Sequence, residues 1–317
     1  MKLKMGMLSG KVAIITGAGR GVGREEALAM AKEGCNLLIN DLGAGAADLD
    51  KEMKFADEVV EECRKIGVKA IANYDSVVDY NKTKNMIDQA ISEFGKLDIV
   101  VNNAGILRDR MIFNMTEAEF DDVIAVHLKG TFNLTRHAAV YFRKMGKENP
   151  NLKNFGRIIN TASDSGLYGN VGQSNYGAAK SGIATFSVIV ARELVKYATV
   201  NCVVPSARTR MTTDLAPNLA EKMKSQTKEG FDIFNPSHFA PLVVYLASDA
   251  AKKINGEVFK AIGDKVWVYR GWRAVKMINN NGIPFTPQEL DDRVKSELMK
   301  GLPSKIEGAV SHDTLLS

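Results

Sequence analysis

The sequence predicts an α/β fold in which helices cover both faces of a parallel sheet. Seven short runs rich in Val and Ile recur along the chain, and long helix-compatible segments separate most of them. This alternation of strand and helix is typical of βαβ units. The runs are apolar throughout, as expected for strands that are buried on both faces. They are Val12–Ile15, Leu37–Asn40, Lys69–Asn73, Leu97–Val101, Arg157–Asn160, Thr199–Val204 and Glu257–Ala261.

Length and composition indicate a folded protein without a nucleic-acid partner. The chain has 317 residues, of which 45% are hydrophobic and 25% are charged. One large α/β domain can account for most of that length. The net charge is +5, but basic and acidic residues alternate and form no block that could follow a phosphate backbone. The small positive excess suits an anionic small molecule.

Cysteine usage and hydropathy predict a cytoplasmic protein without a membrane partner or a metal site. Cys35, Cys63 and Cys202 are too few and too scattered for a disulfide framework. The apolar runs are far shorter than the ~20 residues that cross a bilayer. The N-terminal sequence MKLKMGMLSGK lacks the apolar stretch of a signal peptide.

The segment after the first strand has the pattern of a dinucleotide-binding loop. Thr16-Gly17-Ala18-Gly19-Arg20-Gly21-Val22-Gly23 opens a helix that we expect to end near Glu33. Glycines here permit a tight turn, close approach of a pyrophosphate and close packing of helix on strand. The positive end of the helix dipole then faces the phosphate charge.

Polar residues follow the next three strands, at the sheet edge where open α/β folds bind ligands. Asp41 ends the second strand, where a carboxylate can accept hydrogen bonds from an adenosine ribose and repel a 2′-phosphate. We therefore expect NAD, although Arg20 could meet a 2′-phosphate and NADP stays open. Asp75 and Ser76 follow the third strand, and Asn102-Asn103-Ala104-Gly105 follows the fourth.

The most informative pair is Tyr176 and Lys180, with Ser163 thirteen positions upstream. Four residues on a helix place the two side chains on one face, ~6 Å apart along the axis. An ammonium near a phenol favours the phenolate, so we expect Lys180 to lower the pKa of Tyr176 toward neutrality. An exposed Tyr and Lys at this spacing are more often a solvated helix face. The pair indicates a catalytic site only in combination with the glycine loop.

The alternation ends near Arg270, so we predict one domain over residues 1–270 and a C-terminal extension over 271–317. Thr286-Pro287-Gln288-Glu289 combines an N-cap, a proline at the first helical position and a glutamate that completes a capping box. A helix is therefore expected near 287–299. The extension could cover the active site, bind a neighbouring subunit or be a peripheral appendage.

The ordered set Thr-Gly-x-x-x-Gly-x-Gly at 16–23, Asn-Asn-Ala-Gly at 102–105, Ser163 and Tyr176-x-x-x-Lys180 resembles the short-chain dehydrogenase/reductase family. The resemblance covers residues 8 to about 265. It implies a Rossmann-type, doubly wound, mostly seven-stranded parallel sheet, one nicotinamide cofactor and a homodimer or homotetramer. It also implies catalytic roles for Ser163, Tyr176, Lys180 and His127. The implied cofactor-binding residues are Gly17, Gly19, Arg20, Gly21, Val22, Gly23, Asp41, Asp75, Ser76, Asn103, Ala104, Gly105, Tyr176, Lys180, Pro205 and Thr209.

Further stretches resemble the (3R)-hydroxyacyl-CoA dehydrogenase part of peroxisomal multifunctional β-oxidation enzymes and its stand-alone prokaryotic relatives. These stretches are Asn40–Gly43, Ala72–Val77, Asn102–Arg110, Val126–Gly130 and Tyr168–Gln173. Relatives that share them can act on other substrates.

Two positions depart from the common family pattern. Many members have asparagine where His127 stands, although the multifunctional enzymes resemble this chain in having histidine. His127 either relays protons or only holds a helix and water in place. Pro205-Ser206 replaces a frequent Pro-Gly, while Thr209 stands where a hydroxyl could bind the carboxamide.

The resemblance implies NAD-dependent interconversion of a secondary alcohol and a ketone, with (3R)-3-hydroxyacyl-CoA as the favoured substrate. Tyr176 would take the hydroxyl proton, Lys180 would hold the phenolate and bind the nicotinamide ribose, and Ser163 would bind the reacting oxygen. Residues 212–231 are expected to form a substrate lid. Arg108, Arg110 and Arg208 could meet coenzyme A phosphates, although each alone is more often a surface arginine.

The alternatives are an NADP-dependent 3-oxoacyl reductase, a dehydrogenase of another secondary alcohol, and an inactive nucleotide-sensing protein.

Overall fold

A computed structural model describes residues 6–43, 55–208, 231–272 and 274–302. The chain divides into two compact units, Met1–Tyr269 and Arg270–Ser317. The strands of the first unit are β1 Val12–Thr16, β2 Asn36–Asn40, β3 Ala70–Asn73, β4 Ile99–Asn102, β5 Gly156–Thr161, β6 Ala198–Pro205, β7 Val258–Ile262 and β8 Lys265–Tyr269.

Helices connect these strands. They are α1 Gly21–Lys32, α2 Phe55–Ile66, α3 Tyr80–Phe94, α4 Glu117–Ile124, α5 Gly130–Glu148, α6 Asp164–Tyr168, α7 Ser174–Glu193 and α8 Ala240–Ala247. A π-helical segment, Ala125–Lys129, joins α4 to α5.

The strands form one sheet in the order β3-β2-β1-β4-β5-β6-β7-β8. The first seven are parallel to their neighbours, and this order with helices on both faces is a Rossmann-type fold. The predicted fold class is therefore confirmed. The order reverses at β1, whose neighbours are β2 and β4. The crevice at the carboxyl ends of β1 and β4 is the expected ligand position in such a sheet.

The sheet has one strand more than the seven that the sequence predicts. β8 pairs antiparallel with β7 through a short turn in which Gly263 has a φ of +53°. Its residues alternate between exposed and half-buried, unlike the apolar runs of the central strands. An edge strand need not be buried on both faces, so β8 lacks the continuous apolar run by which the other strands were predicted.

Alternate residues of the central strands enter two separate cores. Ile15 packs in a cluster with the apolar faces of α1, α2 and α8. Its neighbour Ile14 packs on the other face with α3, α5 and α7. This division explains why both positions are apolar, since successive side chains of a strand point to opposite faces.

Glu26 on α1 is a buried carboxylate without compensation among the described residues. Its side chain is fully buried, and neither carboxylate oxygen has a hydrogen-bond partner in the part of the chain that the structure describes. Burial raises the pKa of Glu26 from 4.5 to about 8. The protonated form is therefore favoured in the folded protein at neutral pH.

We expect Glu26→Gln to remove a pH dependence of stability. Between pH 4.5 and 8 the folded wild type holds a proton that the unfolded chain releases, so its free energy of unfolding falls as pH rises through this interval. The difference between variant and wild type should grow by on the order of 2–4 kcal/mol from the lower to the upper limit. Urea unfolding at several pH values measures it. Glu93→Gln, at an exposed position of α3, is the control; equal slopes for both variants and wild type contradict this prediction.

The second unit contains a helix, α9 Pro287–Arg293, followed by a π-helical turn, Val294–Leu298. Thr286 caps α9: its hydroxyl accepts from the Glu289 backbone, and the Glu289 carboxylate accepts from the Thr286 backbone. None of the helices in the described ranges is long and apolar enough to span a bilayer. Residues 212–230 of the predicted lid, and Thr209, lie outside the described residues.

Candidate active site

The glycine loop packs so closely that side chains are excluded from it. A Cβ on Gly17, whose φ is +62°, would lie 2.7 Å from the Cα of Ala104. A Cβ on Gly19 would lie 2.7 Å from the Cβ of Phe55 and 2.8 Å from a carboxylate oxygen of Asp41. The loop is therefore held directly against the segments that follow β4 and β2. These contacts explain why positions 17 and 19 are glycines.

The amino end of α1 opens from this loop without a side-chain cap. Arg20 is the N-cap residue and its side chain makes no capping hydrogen bond. Backbone N–H groups in the first turn, which includes Gly21, Val22 and Gly23, have no intrahelical acceptor. Such N–H groups and the helix dipole favour an anion. The glycine cradle and the uncapped helix thus fit the pyrophosphate of a dinucleotide.

Asp41 is fixed against the same loop. Its Oδ2 accepts from the backbone N–H of Gly19 and its Oδ1 accepts from that of Gly43, both at 2.9 Å. The guanidinium of Arg20 lies 3.6 Å from the centroid of the Phe55 ring. A carboxylate therefore stands where the sequence places the adenosine ribose, while Arg20 stacks on an aromatic ring.

Asn103 joins β4 to the glycine loop. Its Nδ2 donates to the carbonyl oxygens of Thr16 at 3.1 Å and Gly17 at 3.0 Å. The Thr16 hydroxyl accepts from the backbone N–H groups of Asn103 and Ala104, both at 3.1 Å. The side chain of Asn103 thus shapes the crevice.

The segment after β3 is fixed in a similar way. The backbone carbonyl of Asp75 accepts from Nδ2 of Asn40 at 2.9 Å, and its N–H donates to Asn73 Oδ1 at 3.0 Å. Ser76 accepts from the backbone N–H of Val78 at 3.3 Å. Asp75 and Ser76 therefore lie beyond the end of β2, near the edge that holds Asp41.

Ser163, Tyr176 and Lys180 come together at the ends of β5 and α7. Ser163 is the N-cap of α6 and its hydroxyl accepts from the Ser165 N–H at 3.3 Å. Tyr176 and Lys180 lie on α7, with the Lys180 Nζ 5.6 Å from the centroid of the tyrosine ring. Lys180 is 3% exposed, and its Nζ donates to the carbonyl oxygen of Thr161 at 2.6 Å. Lys180 is thus buried while Ser163 and Tyr176 are half-buried, so the Tyr–Lys pair differs from a solvated helix face.

The pKa of Tyr176 moves in the direction opposite to the expected one. Burial raises it to about 12, a hydrogen bond with Ser163 lowers it, and the charges of Asp109 and Asp164 raise it further. Burial also lowers the pKa of Lys180 from 10.5 to about 8. The expectation from the Tyr–Lys spacing was wrong because it counted the cation and omitted the removal of both groups from water.

His127 lies beside Tyr176 on the π-helical segment. The two rings meet edge to face, with centroids 5.1 Å apart. The Nε2 of His127 lies 3.0 Å from the backbone N and 2.8 Å from the backbone O of Ile106, and Nδ1 has no hydrogen-bond partner among the described residues. Burial and then the charge of Lys180 hold the pKa of His127 well below 6.5. The ring is therefore neutral at physiological pH.

The segment after β6 approaches the site through a serine. Pro205 ends β6, and the Ser206 hydroxyl donates to the Asp164 Oδ2 at 3.1 Å. Lys260 on β7 donates to the same carboxylate. Neither Asp164 nor Lys260 belongs to a motif predicted from the sequence. A lysine in the otherwise apolar run 258–262 was the available signal.

The three arginines considered for coenzyme A phosphates all lie near carboxylates. Arg108 Nε is 3.7 Å from Asp122, and Arg110 Nε is 3.2 Å from Glu119. Arg208 NH2 is 2.8 Å from an oxygen of Asp232. Ion pairs at exposed positions, such as those of Arg108 and Arg110, are weak, whereas the Arg208–Asp232 pair is half-buried.

Comparisons with known proteins agree with this geometry. The sequence matches the family described as short chain dehydrogenase over residues 11–223. It is 41% identical over 284 residues to the hydroxyacyl-CoA dehydrogenase ChsB1 of Mycobacterium tuberculosis, covering 89% of this chain and 87% of that protein. The crystal structure of a short chain dehydrogenase from Mycobacterium avium is similar, with a TM-score of 0.80 and 42% identity, covering 94% of this chain and 98% of that one.

The chain is also similar to part of a longer protein. It is 38% identical over 298 residues to peroxisomal multifunctional enzyme type 2 of Drosophila melanogaster. That similarity covers 94% of this chain but 45% of the multifunctional enzyme, so the chain spans less than half of the length of that relative.

Proposed function

The chain belongs to the short chain dehydrogenase family and is an oxidoreductase of CH–OH groups, and we propose that it interconverts (3R)-3-hydroxyacyl-CoA and 3-oxoacyl-CoA with NAD. The observation that carries the proposal is the clustering of half-buried Ser163 and Tyr176 with buried Lys180, on a fold whose glycine loop and Asp41 fit a dinucleotide. The name of the hydroxyacyl-CoA dehydrogenase relative supports the acyl-CoA substrate.

The proposed mechanism assigns one step to each side chain. When bound, the nicotinamide supplies the hydride acceptor. The phenolate oxygen of Tyr176 takes the proton of the substrate hydroxyl, and returns it when the reaction runs toward reduction. The hydroxyl of Ser163 donates to the reacting oxygen and stabilises the charge that develops there. The ammonium of Lys180 stabilises the phenolate, and the family resemblance assigns it a bond to the nicotinamide ribose.

We further propose that His127 positions the site and carries no proton in the reaction. Its ring is neutral, and its Nε2 already contacts the backbone of Ile106. The edge-to-face contact with Tyr176 restricts the phenol ring. A Cβ at position 105 would collide with the His127 ring, so the lack of a side chain at Gly105 leaves room for that ring.

The preference for NAD is proposed from Asp41. A 2′-phosphate at the adenosine ribose would stand beside a carboxylate that two backbone N–H groups hold in place. Like charges brought together in this way cost several kcal/mol.

We expect Asp41→Ala to reverse or abolish the preference for NAD. The variant loses the acceptors for the ribose hydroxyls and the repulsion of a 2′-phosphate, so the ratio of kcat/KM for NAD to that for NADP should fall by about 100-fold or more. Initial rates with each cofactor at saturating substrate measure the ratio. Asp88→Ala, at an exposed position on α3, is the control and should keep the wild-type ratio. A wild-type ratio in Asp41→Ala removes the basis for NAD.

The substrate is tested with a panel of alcohols. We expect oxidation of (3R)-3-hydroxyacyl-CoA with NAD at a kcat/KM at least about tenfold above that for the (3S) isomer, the matching 3-hydroxy acid without coenzyme A, and plain secondary alcohols. Activity confined to NADP and 3-oxoacyl substrates would make the protein a 3-oxoacyl reductase. Preference for a plain alcohol would move it to another dehydrogenase. Nucleotide binding without turnover on any substrate would make it a sensor.

A further inference from the structure

Asp164, the residue next to Ser163, forms an ion pair with a fully buried lysine. Lys260 is fully buried in β7, and its Nζ donates to the two carboxylate oxygens of Asp164 at 2.9 and 2.8 Å. Asp164 is the first residue of α6 and follows Ser163, the N-cap of that helix. A buried ammonium needs such a partner because its removal from water is costly. The pair therefore fixes the start of α6 to β7.

Ser206, the residue that follows β6, completes this cluster. Its hydroxyl donates to Asp164 Oδ2 at 3.1 Å, and its backbone N–H donates to the carbonyl oxygen of Ala261 at 3.3 Å. Ser206 stands where the family often has glycine after Pro205. The Asp164 carboxylate thus receives donors from the middle of β7 and from the residue after β6, which restrict its movement relative to Ser163.

The Asp164 carboxylate of this cluster is one of the charges that affect the ionisation of Tyr176. The carboxylates of Asp109 and Asp164 disfavour its phenolate, while the Ser163 hydroxyl favours it. Lys180 lies 5.6 Å from the ring centroid, and His127 contacts the ring while neutral. Asp164 in turn accepts from Lys260 and Ser206, and its charge acts on Tyr269, whose ring contacts that of Tyr168.

We propose that Lys260 is a positioning residue for this site, whose ammonium holds the Asp164 carboxylate in place and offsets its negative charge next to Tyr176. The inference rests on the proposed function of Tyr176 as the group that exchanges a proton with the substrate. Without Lys260 the carboxylate stays near the phenol with no cation beside it. Ionisation of Tyr176 then becomes less favourable, and the Ser163 turn loses its anchor to β7.

The test is the pH profile of alcohol oxidation. In Lys260→Met the acid limb of kcat/KM at saturating cofactor should move to higher pH by about half to one unit, because an uncompensated carboxylate raises the pKa of a neighbouring phenol. The double variant Lys260→Met/Asp164→Asn carries neither charge, so its acid limb should return to the wild-type position or below it. An unchanged limb in Lys260→Met, or no return in the double variant, overturns the proposal.

Arg157→Met separates this effect from a general loss of a buried cation. Arg157 is 2% exposed and pairs with Asp249 at 3.2 Å, at the opposite end of the sheet from Ser163. Its loss should lower the thermal unfolding temperature while leaving the acid limb in place. A shift of the limb in Arg157→Met as large as that in Lys260→Met would make the effect nonspecific and overturn the proposal.

A second measurement does not depend on turnover. Difluorotyrosine placed at position 176 lowers the phenol pKa, and its ¹⁹F resonance reports ionisation without substrate. The midpoint should rise in Lys260→Met and return in the double variant. If these midpoints move while no alcohol is oxidised, the role of Lys260 stands and the proposed function fails. If alcohols are oxidised and neither midpoint nor acid limb moves, the proposed function stands and the role of Lys260 fails.

Discussion

Tyr176→Phe is expected to lower turnover by about 10²–10⁴-fold while NAD affinity stays within a few-fold of wild type, because the variant lacks the oxygen that exchanges the proton. The ring itself remains, and with it the edge contact to His127 at 5.1 Å between centroids. The loss should appear in kcat and should not be recovered at any pH. Steady-state rates with the preferred alcohol, and NAD titration by calorimetry, measure the two quantities.

Tyr141→Phe is the matched control for this substitution. The Tyr141 hydroxyl on α5 accepts from the Leu97 backbone at 3.3 Å, and α5 packs in the core away from Ser163. This variant loses a structural hydrogen bond and should keep its turnover. Full activity in Tyr176→Phe would show that the proton leaves by another route, and the mechanism proposed above would be wrong.

Most of the fold could be predicted because the central strands satisfy one simple requirement. Ile14 and Ile15 must both be apolar, since one face of β1 packs on α3 and α5 and the other on α1 and α2. Once the strands are parallel, their carboxyl ends share one edge, which brings Asp41 and Asn103 near the glycine loop. The edge strand β8 obeys a different rule, so the same reasoning missed it.

The electrostatics of the site could not be predicted from spacing. The distance between Tyr176 and Lys180 follows from the helix, but their pKa values depend on burial and on carboxylates from other segments. Asp109 precedes α4 and Asp164 begins α6, and only the folded chain places both near the phenol. Lys260 lies about eighty residues from Lys180 in the sequence. That Asp164 is the ion-pair partner of Lys260 follows only from the position of β7 beside β6 in the folded sheet.

Lys180→Met is expected to reduce kcat/KM at neutral pH by about 10²–10³-fold, the usual effect of removing one preorganised charge from a site. Its loss should differ in kind from that of Tyr176→Phe. The phenol is still present but has lost the cation that stabilises its phenolate, so activity should recover in part as pH rises. NAD affinity should also fall, since the resemblance assigns Lys180 a contact with the nicotinamide ribose. Rates and NAD titrations from neutral to alkaline pH separate the two variants, and Lys144→Met, at an exposed position of α5, is the control.

The same variant tests the burial of Lys180 by a measurement on stability. The folded wild type has a lysine pKa of about 8 at this position against 10.5 in the ordinary case, so between these values the unfolded chain binds the additional proton. The free energy of unfolding of the wild type should therefore rise with pH across that interval, relative to Lys180→Met. The methionine side chain of the variant cannot donate to the carbonyl oxygen of Thr161, which costs about 1–3 kcal/mol at every pH and leaves the slope unaffected. Parallel stability curves for the two proteins would mean that Lys180 is not destabilised in its charged form.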